Sequence, residues 1–220
     1  MRRLIIAIDG PSGAGKGTVS RTIAESLQYR HIDTGAMYRA VGWKALHDDI
    51  PLDDEAGVAM LAERSEITVE GGQVAIDGHD VTQAIRTPEI DKAASMVARL
   101  PRVRAVLVAR QRQMGEQGGV VMEGRDIGTV VFPRADVKIY LDASAEERAR
   151  RRLHDAAHSG GQAGAAAVAA SIEARDRSDT VRSVSPLTIA DDAIHIDTTT
   201  LPIRAVVEKV LQLIERRLKD

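Results

Sequence analysis

No cysteine occurs in the 220 residues, which removes disulfides, thiolate metal sites and thiol nucleophiles together. Asparagine is absent too, so the Asn-Lys-x-Asp clamp by which switch proteins hold guanine has no place here. Aromatic side chains number five: one Trp, three Tyr and one Phe. That is too few for base recognition by ring stacking, and arginine is left to stack on an adenine. Neither sign of charge dominates. Thirty basic residues against 32 acidic give −2, which argues against a nucleic-acid-coating surface. Long apolar runs are missing as well. Leu4-Ile5-Ile6-Ala7-Ile8 follows Met1-Arg2-Arg3 but stops at Asp9, too short for a secretory core or a bilayer span. A cytoplasmic protein without membrane contact is expected. The six histidines show no metal-ligand spacing, and the i, i+4 pair His154 and His158 has no third partner.

What is present is enough core for one domain over residues 1–220, at 44% hydrophobic. Short apolar runs at 4–9, 29–33, 120–123, 137–142 and 193–197 read as strands. Helical spacing between them gives the pattern of an α/β fold with a mostly parallel sheet. The C-terminal stretch carries Ile203, Val206, Val207, Val210, Leu213, Ile214 and Leu218 on one helical stripe behind Pro202. Residues 66–82 break the alternation. A Gly71-Gly72 turn pairs Val69 with Val74 and Ile67 with Ile76, and an Asp77-Gly78 turn pairs Val74 with Val81. All five apolar side chains then share a face, within an inserted substructure spanning 63–98. Ser159–Gly164, before the alanine run 165–170, reads as a mobile surface excursion between two helices.

The strongest motif is Gly10-Pro11-Ser12-Gly13-Ala14-Gly15-Lys16-Gly17-Thr18, between the first strand and a helical pattern over 19–27. A helix N-terminus offers unpaired N–H groups and a favourable dipole to a phosphate chain. Glycines let the backbone come close enough to use them, and Lys16 adds a point charge on the β and γ phosphates of a nucleoside triphosphate. The common motif places a magnesium-binding hydroxyl directly after the lysine. Here Gly17 intervenes and the hydroxyl is Thr18, so Mg²⁺ bound with ATP is expected to be held largely by phosphates and water. No protein metal ligand is assigned.

Three further segments supply an acceptor side. Asp33-Thr34-Gly35-Ala36-Met37-Tyr38-Arg39 ends the second strand and opens a helix, where ligands of such sheets bind. Thr34 offers a hydroxyl to a sugar or phosphate, and Arg39 a phosphate fork. Gly124-Arg125-Asp126 follows the third strand, and the Asp126 carboxylate suits a donor such as the exocyclic amine of cytosine. In Arg175-Asp176-Arg177-Ser178-Asp179-Thr180-Val181-Arg182, positions 175, 179 and 182 fall on one helix face. There two guanidiniums flanking a carboxylate can grip a phosphate and a ribose hydroxyl. The 30 basic residues are 24 Arg and 6 Lys, and arginine is the better fork for oxyanions.

GPSGAGKGT, DTGAMYR, the hairpin insert, PRVR, GRDIGTVVFP, KIYLDAS, ERARRR and RDRSDTVRSVSPL occur in that order. Together they resemble the bacterial cytidylate kinases among the P-loop nucleoside monophosphate kinases, over nearly the whole chain. The resemblance implies a five-stranded parallel sheet flanked by helices, with 63–98 as a monophosphate-binding insertion and 150–170 as a lid. It implies transfer of the γ-phosphoryl group of ATP to CMP or dCMP, with Mg²⁺, by a monomer. Gly10 to Thr18 fall where the family holds ATP. Ser95, Arg104 and Asp126 fall where it reads the cytosine ring; the residues alone single out neither Ser95 nor Arg104. Thr34, Arg175 and Asp179 match sugar contacts, Arg39, Arg125 and Arg182 hold the acceptor phosphate, and Ser12 lies near the phosphates. Lys16, Arg39, Arg125 and Arg182 are then the catalytic set. Arg148, Arg150, Arg151 and Arg152 are lid candidates, although Glu146 and Glu147 four residues before Arg150 and Arg151 also read as plain helix pairs. The alternatives are a broader UMP/CMP kinase, a P-loop kinase for another small acceptor, or a nucleotide-binding regulatory module without turnover.

Overall fold

The computed structural model describes residues 3–154, 164–182 and 184–219. In chain order its elements are β1 (Ile5–Asp9), α1 (Lys16–Leu27), β2 (Arg30–Asp33), α2 (Thr34–His47), α3 (Glu55–Arg64), β3 (Ile67–Glu70), β4 (Gln73–Ile76), β5 (His79–Asp80), α4 (Pro88–Val97) and α5 (Pro101–Gly115). After them come β6 (Val120–Gly124), a π turn over Ile127–Val131, β7 (Val137–Asp142), α6 (Ala145–His154), α7 (Ala165–Val181), β8 (Ile194–Asp197) and α8 (Ile203–Lys219).

The main sheet is parallel, in the order β2-β6-β1-β7-β8. β1, β6 and β7 are buried on both faces, as a helix-covered sheet requires. Their apolar side chains pack on α1 and α8 on one side, through Ile8, Val19, Ile23, Leu141, Val206 and Val210. The chain leaves β1 between strands reached from opposite directions, which is where open α/β sheets leave a crevice. Of the C-terminal stripe, Val206, Val207, Val210 and Ile214 are buried as expected, whereas Ile203 and Leu218 at its ends are about half exposed.

The insert is an antiparallel sheet β3-β4-β5 with the expected register: Val69 faces Val74, Ile67 faces Ile76, and the Val81 amide donates to the Val74 carbonyl at 2.9 Å. Ile67, Val74, Ile76 and Val81 are buried and Val69 packs beside them, on a core shared with α2, α3, α4 and α5. Thr87 caps α4 by accepting the Ile90 amide, and Pro88 sits in its first turn. Gly42 of α2 faces α4 closely: a Cβ there would stand 3.1 Å from that of Ala93. The excursion expected at 159–164 falls outside the described residues apart from Gly164, which precedes α7.

Gly10 shows how tightly β1 delivers the phosphate loop. Its φ is +148°, and a Cβ would stand 1.9 Å from the Leu141 carbonyl oxygen. Gly10→Ala is therefore expected to cost at least about 3 kcal/mol, a fall in Tm of roughly 6–12 °C for a chain of this size. Thermal denaturation checks it; an unchanged Tm would show that β7 yields without cost.

Candidate functional site

α1 begins at Lys16, three residues before its apolar pattern does, because the loop itself forms the first helical turn. Gly15 precedes it in the left-handed region (φ +89°) and no side chain caps the helix. Its first N–H groups therefore face the cavity without a protein acceptor, the arrangement that favours an anion. The Lys16 ammonium donates to the Pro11 carbonyl at 2.7 Å. Burial, and after it the nearby Arg125, lowers its pKa to about 7.

The acceptor segments reach the same end of the sheet. Asp33 caps α2 by accepting the Ala36 amide at 3.1 Å. Burial alone would raise the Asp33 carboxyl, but Arg39 and Arg86 outweigh it and hold it below the ordinary value. Thr34 is buried, and its hydroxyl donates to the Glu123 carbonyl at 2.7 Å. Arg39 is buried rather than solvated, and its Nε donates to Asp91 at 2.9 Å. The turn carrying Arg125 and Asp126 is pinned from below, since Asp9 accepts the Ile127 amide at 2.8 Å and the Gly128 amide at 2.7 Å. Desolvation pushes the Asp9 carboxyl up to about 6 despite those two bonds. A π turn at this point, a form common at functional sites, aims Asp126 inward.

Asp126 forms a buried ion pair with Arg104, whose guanidinium lies 5.5 Å from the centroid of the Tyr38 ring. Arg182 stands 3.8 Å from Asp126 and 3.8 Å from Asp179. Arg125 donates through Nε to Asp179 at 2.8 Å. Two sequence expectations are corrected here. α7 ends at Val181, so Arg182 is extended (ψ 139°) and reaches the cluster from the chain beyond the helix. The guanidiniums flanking Asp179 belong to Arg125 and Arg182, while Arg175 turns to Asp91 at 3.3 Å.

A cavity of about 570 Å³ runs along the loop, walled by Lys16, Thr18, Asp33, Arg39, Glu123 and Arg125 among others. A second, of about 490 Å³, lies between α4, α6 and α7; Ser12, Arg152 and Arg175 are common to both. Ser95 lines the second, its hydroxyl donating to its own helix at the Asp91 carbonyl, 3.0 Å away. Arg104, Asp126, Asp179 and Arg182 are buried behind these walls, paired among themselves. The pairing is incomplete: Arg104 Nε, Arg175 Nε and Arg182 Nη2 are buried without a hydrogen-bond partner. Each such donor costs about 1–3 kcal/mol.

The four arginines of α6 separate. Arg150 pairs with Glu147 on the surface, and Arg151 reaches Glu147 at 2.8 Å and the Thr198 carbonyl at 2.6 Å. Arg152 pairs with Asp91, and these three line the loop cavity. Arg148 is a brace: it donates to the carbonyls of Ala143 and Ser12 at 3.0 and 3.1 Å and pairs with Asp176.

Sequence reasoning missed Asp91. In the first turn of a helix an acid reads as a partner for the dipole, and no local pattern announces its contacts with Arg39, Arg152 and Arg175. It also missed Arg86 and Glu123 of the cavity wall, which no local pattern announces.

An uncapped glycine-rich loop at the head of α1, on a five-stranded parallel sheet and facing a set of buried arginines, defines a P-loop phosphotransferase. Solved structures share the fold. Shikimate kinase from Acinetobacter baumannii matches with a TM-score of 0.51 at 16% identity, over 97% of this chain and 94% of that one. Shikimate kinase from Bacteroides thetaiotaomicron matches with a TM-score of 0.53 at 11% identity, over 96% and 98%. Sequence similarity is far more specific. The cytidylate kinase family model matches residues 6–216. The cytidylate kinase of Desulfitobacterium hafniense (strain Y51) is 50% identical over 215 residues, 96% of this chain and 93% of that protein. That of Bacillus subtilis (strain 168) is 48% identical over 220 residues, 98% of each. The chain belongs to the cytidylate kinase family.

Proposed function

We propose that the protein transfers the γ-phosphoryl group of ATP to CMP or dCMP, giving ADP and CDP or dCDP. Beside the family membership, the observation that carries this reading is the set of buried guanidiniums with unpartnered nitrogens next to an uncapped phosphate loop. An acceptor nucleotide supplies the oxygens they lack.

ATP lies along the loop from Gly10 to Thr18, its phosphates on the loop amides and Lys16. Thr18, Asp33 and Glu123 offer hard oxygens on the same wall. Among the described residues no group of three His, Asp or Glu side chains is arranged to hold a metal ion. That donor set fits a magnesium ion that keeps its waters and binds mainly through the nucleotide. Magnesium bound with ATP supplies charge neutralisation of the phosphates. Arg39, Arg125 and Arg182 hold the acceptor phosphate in line. The loose transition state spreads charge over equatorial oxygens, so positioned cations do most of the work. A phosphate oxygen is already anionic, so no general base is needed. Thr34, Arg175 and Asp179 take the sugar. Ser95, Arg104 and Asp126 read the cytosine, Asp126 accepting from the exocyclic amine. The insertion 63–98 and the part of the lid within the described residues, 150–154 and 164–170, with Arg150, Arg151 and Arg152 toward the cavity, close over the substrates and exclude water; residues 155–163 of the lid lie outside the described residues. No described helix is long and apolar enough to cross a membrane. A site for two soluble nucleotides suits the cytoplasm.

Arg182→Ala removes a charged hydrogen bond of about 1.5–3 kcal/mol. CMP binding measured by calorimetry is expected to weaken by roughly 10–150-fold. Undiminished CMP binding would remove Arg182 from the site.

The Lys16 ammonium carries a pH dependence. Its pKa of about 7 in the free protein rises when phosphates surround it, so binding takes up a proton above neutrality. MgATP affinity is therefore expected to fall about tenfold from pH 6 to pH 8. Calorimetry in buffers of different ionisation enthalpy checks it. No proton uptake would show that the free lysine is fully charged.

A further inference from the structure

Asp91 lies in the insertion, on the first turn of α4, and three arginines from three other helices meet it. Arg39 comes from α2, Arg152 from α6 and Arg175 from α7. Two of these, Arg39 and Arg175, are substrate-binding residues in the reading above, and Arg152 borders both cavities. A carboxylate common to the insertion, to α2 of the core and to the helices α6 and α7 has consequences for geometry.

The detail of the Arg39 contact decides what kind. Asp91 takes the Nε of Arg39, at 2.9 Å. The Nη1 of Arg39 extends to Gly35, 3.1 Å from where a Cβ would stand, on the wall of the loop cavity. The carboxylate thus grips one end of the guanidinium while the other end faces the space where phosphate would lie. Asp179 holds Arg125 the same way, through Nε at 2.8 Å. The backbone makes the contact possible. Gly42, one turn after Arg39, has no side chain to keep α4 away, so Ala93 comes close and Asp91 reaches Arg39. Charge points in the same direction. Arg39 and Arg125 both act on Arg175 as like charges, and Asp91 opposes them.

We infer that Asp91 is a positioning residue for phosphoryl transfer. It orients Arg39 toward the acceptor phosphate, and by holding Arg152 and Arg175 on the same carboxylate it ties the insertion to the lid side of the site. This rests on the functional reading above.

The test is a kinetic double-mutant cycle on the full chain: wild type, Asp91→Ala, Arg39→Ala and the double variant, with Asp91→Asn alongside. Asp91→Ala is expected to lower kcat/KM for CMP by about tenfold or more, while KM for MgATP stays within about twofold. Asp91→Asn keeps a carbonyl oxygen for the Arg39 Nε and should fall between the two. In the Arg39→Ala background, removing Asp91 should cost clearly less than it does in the wild type, because its action through Arg39 is gone and only its hold on Arg152 and Arg175 remains. A merely structural aspartate would give the same loss in both backgrounds and move both KM values together. Either of those results, or CMP kinetics within about twofold of wild type for Asp91→Ala, overturns the inference. If Asp91→Ala fails to fold, the cycle is run with Asp91→Asn and read the same way. A wild type that phosphorylates no monophosphate removes the functional reading and this role with it. A wild type active on CMP beside indifferent Asp91 variants removes this role alone.

Discussion

Asp126→Asn is expected to abolish most of the preference for CMP over UMP. The Asp126 carboxylate is buried against Arg104, with Arg182 on its other oxygen side. Cytosine presents an amine where uracil presents an oxygen, so a fixed carboxylate accepts from the first and repels the second. Sites of this kind reject a mismatched analogue by up to ~10⁴–10⁵. An asparagine keeps the size and one acceptor for Arg104, but its amide can turn to donate as well as accept. The lost charged hydrogen bond, about 1.5–3 kcal/mol, lowers kcat/KM for CMP by roughly 10–150-fold, and the lost repulsion raises that for UMP. Alanine is the harsher variant: breaking a buried ion pair leaves Arg104 uncompensated, at about 3–5 kcal/mol of stability. Paired kinetics on CMP and UMP give the ratio. A ratio unchanged by Asp126→Asn would place base recognition elsewhere.

Lys16→Ala should cost more turnover than any other single change in the loop. The lysine is buried, its ammonium is fixed on the Pro11 carbonyl, and it sits at the uncapped start of α1. Charge developing on the transferring group is stabilised by preorganised donors, and removal of one typically costs about 10²–10³-fold in kcat. The fold should survive, because taking away a buried cation beside Arg125 relieves repulsion. A stable Lys16→Ala protein with wild-type kcat would show that the loop does not hold the reacting phosphates.

How far the sequence carried depended on whether the determinants were local. The phosphate loop is contiguous, and the strands around it announce themselves as apolar runs. The insert was legible to the residue because Gly71-Gly72 and Asp77-Gly78 dictate turns, and turns dictate register. The start of α1 was not, since Lys16-Gly17-Thr18 is helical without an apolar stripe. The charge network was the least legible part. Arg39 meets Asp91 52 positions away, and Arg125 meets Asp179 54 positions away. An arginine-rich chain offers many partners to each carboxylate, and only the packing of helices selects among them. Helical periodicity placed Arg182 on the face of Asp179; the chain instead leaves the helix at that residue, and the two meet from different elements. Among the α6 arginines, Arg148 reads no differently from its neighbours in sequence, yet its place under the loop turns it into a brace on the Ser12 carbonyl.

The most direct test of cytidylate transfer is ADP formation from MgATP with CMP, dCMP, UMP, AMP, GMP and dTMP as acceptors, with Lys16→Ala as control. Rapid turnover with CMP and dCMP alone, lost in the control, is the expected result. Equal turnover of UMP would leave the transferase and overturn the base-reading role of Asp126. No turnover with any monophosphate would contradict the proposed reaction itself.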